Sequence, residues 1–160
     1  MRKPSHADAE LLLKLYDFRR EPEMRRARAW FGQASLERAE DVLGFYGTGS
    51  EDDRWLRMVI TYWDMVAAMV NHGVLHEELF FDTNGEDIFT WRKIEPVVGA
   101  IRAKMRPTYL HNLESCATRH MAWRQRQIDA HNRRGAPGGR RGAGARRSPA
   151  ARGTSRRKSR

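Results

Sequence analysis

Along the first 132 residues apolar positions recur at helical spacing, and no stretch alternates as a strand would. Leu11, Leu12, Leu15, Tyr16 and Phe18 mark a first helix, closed by Arg19, Arg20 and Glu21. Pro22 fits the first position of a second helix, where its missing N–H costs little; Met24, Ala27 and Phe31 would be its inner face. "QAS" is a break, with Ser35 as the expected N-cap for "LERAEDVLGFY". "GTGS" is the clearest loop. Ser50 and the "EDD" behind it then supply a capping side chain and three acids for the positive end of a helix dipole.

The strongest pattern is "DRWLRMVITYWDMVAAMV", with Trp55, Val59, Tyr62, Val66 and Met69 on one face. Leu56, Met58, Trp63, Met65 and Val70 widen that face on both sides, which leaves Asp53, Arg57, Thr61 and Asp64 as a polar stripe. A helix apolar over most of its girth is buried among others, so this should be the central one, ending at Gly73. "HEELFFDTNGEDIFTWRKIEP" reads as a helical turn, a tight turn and an amphipathic helix, and Pro96 kinks or restarts the chain into "VVGAIRAKM". Pro107 opens the last helix, with Tyr109, Leu110, Leu113, Cys116, Ala117 and Met121 facing inward. The expected fold is all-α, a compact bundle of about five or six helices over residues 1–132, followed by a disordered tail over 133–160.

Charge changes the picture only at that tail. The chain carries a formal net charge of +10, yet residues 133–160 hold 11 of its 30 basic residues and none of its 20 acids. The remaining 132 residues balance 19 basic against 20 acidic side chains, so the helical part has no overall field to attract a polyanion. Every aromatic residue also lies there, in a length that buries roughly two-thirds of its unfolded surface. The tail, rich in Gly, Ala, Pro, Ser and Arg, cannot bury enough apolar surface to offset its ordering entropy. Its guanidiniums suit phosphate, so Arg140, Arg141, Arg146, Arg147, Arg156, Arg157 and Lys158 are the expected contacts for non-specific, salt-sensitive binding of nucleic acid or another polyanion. Anionic lipid or an acidic protein could take the same place. The same residue types are those of GC-rich codons, so drift is an equal account of the tail. A lone Cys116, no apolar run of about 20 residues and no signal-peptide core lead to the expectation of a cytoplasmic chain without a transmembrane segment.

Catalytic and metal motifs are weak throughout, and neither an enzyme nor a cofactor is expected. His72 and His76 with Glu77 could clamp zinc on one helix, but Gly73 between them should end that helix. Cys116 and His120 are four apart, yet Cys116 falls in the apolar stripe, where an inert buried thiol is usual. "DTNGED" places its glycine fourth where a calcium loop needs it sixth, so it is first a turn. Trp55, Tyr62, Trp63 and Trp91 sit at core spacing rather than interleaved with basic residues for base stacking. Arg57, Thr61 and Asp64 form a candidate buried polar stripe; if buried, Asp64 needs a partner such as Arg92 or Lys93, and the ordinary alternative is a structural ion pair or a solvated strip.

The stretch "YWDMVAAMVNHGVLHEELFFDTNGEDIFTWRKIEPVVGAIR", residues 62–102, resembles a bacterial family known only as domain of unknown function 4760. "LLLKLYDFRREPEMRRARAWF" fits the same family, which extends the likeness over about residues 10–115 and leaves the tail outside it. The resemblance implies helical packing and carries no catalytic residue. Many members begin with a membrane helix; no run of that kind occurs here, so membrane attachment is not carried over. The residues leave an interaction module whose tail binds nucleic acid as the first reading and a protein-binding or self-associating scaffold, to which the tail is incidental, as the second; a third, not the expected one, is an enzyme using Asp64 with a histidine in an interhelical pocket.

Overall fold

A computed structural model describes residues 2–135 of the chain. Among them eight helices form in the order α1 (His6–Arg20), α2 (Pro22–Gln33), α3 (Ala39–Leu43), α4 (Glu51–Asn71), α5 (Glu77–Thr83), α6 (Glu86–Ile94), α7 (Val98–Lys104) and α8 (His111–Gly135). No strand is present among the described residues. The all-α class is as expected, but the count exceeds five or six. The short segments α3, α5 and α7 close as separate helices of five, seven and seven residues instead of extending their neighbours.

Local chemistry sets most of the boundaries. Ser5 caps α1 in a reciprocal box with Asp8, and Glu21 accepts from the N–H groups of Glu23 and Met24 ahead of α2, with Pro22 at the first helical position. Ser50 caps α4 as the sequence indicates. Gly73, with φ of +70°, takes the left-handed turn that stops it. Ser35 does not cap a helix. Leu36 drops into the core instead, and α3 starts three residues later, where the Asp41 carboxylate accepts from the backbone N–H groups of Glu37 and Arg38. Pro107 likewise precedes a turn rather than opening α8. Leu110 is held at φ +60° with its side chain fully buried, and the helix begins at His111.

The centre of the molecule is α4. It packs most extensively on α8 and α2, and also touches α5 and α6. Leu56, Val59, Ile60, Trp63, Val66, Ala67 and Val70 are its buried line, spaced three and four apart. Each such aliphatic side chain taken from water contributes about 1.5–3 kcal/mol. The buried face is turned slightly from the expected one: Trp55 and Met69 lie half-buried and Met65 is exposed. From α8 come Leu113, Cys116 and Ala117, and from the turn ahead of it Tyr109 and Leu110. Residues 133–135, expected to begin the tail, are still α8, whose last turns are exposed. No helix of the described residues is long and apolar enough to cross a membrane.

Candidate functional site

The polar stripe of α4 is not a buried one. Arg57 and Thr61 are exposed, and the Thr61 hydroxyl bonds back to the carbonyl of Arg57. Asp64 is half-buried and meets neither Arg92 nor Lys93. Its Oδ1 instead accepts the backbone N–H of Leu113 at 2.9 Å, among the first N–H groups of α8 that have no partner within the helix. Asp64 therefore caps α8 from across the interface, a carboxylate set at the positive end of that helix. Lys93 reaches the carbonyl of Gly32, and Arg92 lies exposed. Asp53, the fourth stripe residue, is buried and accepts from the N–H groups of Gly47 and Gly49, both at 2.9 Å. The GTG loop is thus wrapped on its carboxylate, with both glycines at positive φ.

The histidine candidates separate. His72 is exposed past the end of α4, whereas His76 is buried and caps α5. His76 Nδ1 accepts from the N–H of Leu79, so Nε2 carries the hydrogen and donates to the carbonyl of Arg2 at 2.6 Å. Asp8 ties the same corner by accepting the backbone N–H of His76. The Arg2 guanidinium and the Ser5 hydroxyl hold the Asp8 carboxyl well below the usual carboxylate range. No group of three or more metal-ligating side chains is present among the described residues.

The least exposed polar pair was not foreseen as a pair. His120 on α8 and Asp87 on α6 are completely enclosed, with Nδ1 and Oδ2 2.8 Å apart. His120 Nε2 lies 3.0 Å from the carbonyl of Phe81, one of the carbonyls left open at the end of α5, and donates to it. The ring also stacks on Phe81 at 4.3 Å. Cys116, one turn before His120, makes no thiolate–imidazole pair. It is fully buried, and desolvation, followed by the charge of Asp87, pushes its thiol up to about 12. These groups tie α5, α6 and α8 together.

An open groove of about 370 Å³ lies elsewhere, between α1, α4 and α5. Leu12, Leu13, Leu15 and Tyr16 form one wall, and Tyr62, Trp63, Val66 and Leu79 the others. Its one charged lining residue among the described ones is Arg19, whose guanidinium lies 5.3 Å from the Trp63 ring centre. Burial pushes the Tyr62 hydroxyl up to about 12, and it donates to the carbonyl of Leu15 at 2.7 Å. Behind the groove Glu86 is shared by Arg19 and by Arg28, whose Nη2 is 2.6 Å from Oε2. Asp64 does not line this groove. The sequence held a signal for it: α1 carries more apolar residues than one face can bury, and Leu13, Tyr16 and Phe18 are more than half exposed.

Fold and site together define an all-helical bundle built on α4, with polar groups tying its helices and an apolar groove open on one side. The chain belongs to the family described as domain of unknown function (DUF4760), whose pattern matches residues 4–120. That span takes in the groove and ends at His120, leaving out the rest of α8 and the tail. No curated protein and no solved structure matches the chain.

Proposed function

We propose that the protein is a non-enzymatic interaction module, in which the helical bundle is the folded body and the basic tail supplies electrostatic contact with nucleic acid. One observation carries this: 11 basic residues and no acid fall in residues 133–160, against a near-neutral remainder. The candidate contacts Arg140, Arg141, Arg146, Arg147, Arg156, Arg157 and Lys158 lie outside the described residues. The non-enzymatic part is supported by what the candidate catalytic groups do. Asp64 caps α8, His76 caps α5, and Cys116 and His120 are enclosed with His120 bound to Asp87.

The test is fluorescence anisotropy of labelled DNA and RNA with the full chain and with a variant carrying serine at those seven positions. If all seven engage phosphates of a duplex, the slope of log affinity against log salt should be about −6. The variant should lose that binding and its salt dependence. Unchanged binding in the variant would place the contact in the helical body and refute the reading. A scaffold is the second reading, favoured by the exposed Leu13, Tyr16 and Phe18 of α1. It predicts concentration-dependent mass or a stable protein complex that the serine variant retains.

A further inference from the structure

We propose that the groove between α1, α4 and α5 binds a medium-chain monocarboxylate, with the alkyl chain on Leu12, Leu13 and Val66 and the carboxylate against Arg19. Size comes first. The groove holds about 370 Å³, near the lower end of the roughly 300–1,000 Å³ range of small-molecule sites. That scale suits a medium alkyl chain such as decanoate.

Charge selects the headgroup. Among the described residues no acid lines the groove, and Arg19 is its one charged lining residue. Behind it two guanidiniums, Arg19 and Arg28, share the single carboxylate of Glu86, which leaves one positive charge uncompensated in this cluster. Beyond Glu86, Arg19 makes only a 3.4 Å contact with Asn84, and its buried Nε has no partner among the described residues. A monoanion restores the balance, an ammonium would be repelled, and an alcohol would leave the charge unanswered. The guanidinium lies over the Trp63 ring and is paired with Glu86, so it is pre-positioned and little side-chain freedom is lost on binding. This site is independent of the tail.

The experiment is titration calorimetry of the full-length protein with hexanoate, octanoate, decanoate and dodecanoate, with octylamine and octanol as headgroup controls. Acetate controls for the tail, since it has the headgroup without the chain. Affinity should rise about fourfold per methylene up to decanoate and then level off. Octylamine should bind at least about tenfold more weakly than octanoate, as the loss of a charged hydrogen bond requires. Amide and indole shifts in NMR spectra should centre on Leu12, Leu13, Tyr16 and Trp63. Leu13→Glu, at an exposed position that leaves folding intact, should lower octanoate affinity by about tenfold or more. Arg19→Gln should bring octanoate down to the level of octanol. Equal binding of octanoate and octylamine, no dependence on chain length, shifts centred outside the groove, or indifference to Leu13→Glu would each overturn the proposal. So would dimerisation through this face in place of octanoate binding.

Discussion

Replacing His120 by phenylalanine should be among the costliest single substitutions in the molecule. The ring is fully enclosed, so the variant loses no exposed surface and keeps an aromatic group against Phe81, 4.3 Å away in the native stack. It loses two polar contacts at once. Asp87 Oδ1 already has no partner among the described residues, and without His120 Nδ1 its Oδ2 would have none either. The carbonyl of Phe81 would lose the Nε2–H that closes the end of α5. Removing one member of a buried hydrogen-bonded His–carboxylate pair costs about 3–5 kcal/mol, because the other is left without its partner. Against a total stability of about 5–15 kcal/mol that is a large fraction. The double variant Asp87→Leu, His120→Phe removes both polar groups together and should cost about 2 kcal/mol or less, since replacing the whole pair by apolar groups is often neutral. Urea unfolding followed by tryptophan fluorescence, with slopes compared to confirm equal exposed surface, gives both numbers and the coupling between them. A loss below about 1 kcal/mol in His120→Phe, or a double variant equal to the sum of its singles, would refute the account of this pair as interdependent. If His120→Phe fails to fold, recovery of folding in the double variant carries the same information.

Asp64→Ala should cost about 1–2 kcal/mol, as loss of a helix cap does, and should speed amide exchange at Leu113; Asp64→Asn should recover more than half, and unchanged exchange at Leu113 would contradict the cap. Cys116 should react with thiol reagents only as fast as the protein unfolds, because burial holds its thiol protonated. Its raised native value, about 12, against an unfolded value near 8.5 means that the native state binds more protons across that window. Stability should therefore fall as pH rises above about 8.5, and Cys116→Ala should flatten that alkaline arm in pH-dependent denaturation. Asp8 works in the opposite direction. Its depressed native value gives a contribution that is complete above the unfolded carboxylate range of about 4 and is lost as pH falls below it. Asp8→Asn should lower stability at neutral pH and make the acid arm shallower, measured by thermal melts between pH 2 and 7; an unchanged acid arm would count against it.

The parts of this fold that could be read from residue order are those in which one segment supplies its own reason. Ser50 caps α4, Gly73 ends it, and Pro22 starts α2, each by chemistry within a few residues. The inner face of α8 was legible for the same reason, since Leu113, Cys116 and Ala117 announce it by spacing alone. Asp64 was legible only as an anomaly, an acid on an apolar helix. Residue type points to a charged partner such as Arg92 or Lys93, but the partner is a backbone N–H of Leu113, and every non-proline residue offers one of those. Asp87 and His120 failed differently. They are 33 residues apart on separate helices; His120 stands out only beside Cys116 on its own helix, and nothing near Asp87 points to it.

The groove follows from a rule about excess rather than about position. A two-sided apolar helix such as α4 must be covered on both sides, and α2 and α8 cover it. α1 is also apolar on more than one side, yet no described helix covers Leu13 and Tyr16, so surface of that kind stays open beside Trp63 and Val66. Among the described residues the one lining charge, Arg19, is paired with Glu86 and lies over the Trp63 ring. A groove with a fixed cation at one end and bare apolar walls is complementary to an anion that carries an apolar chain.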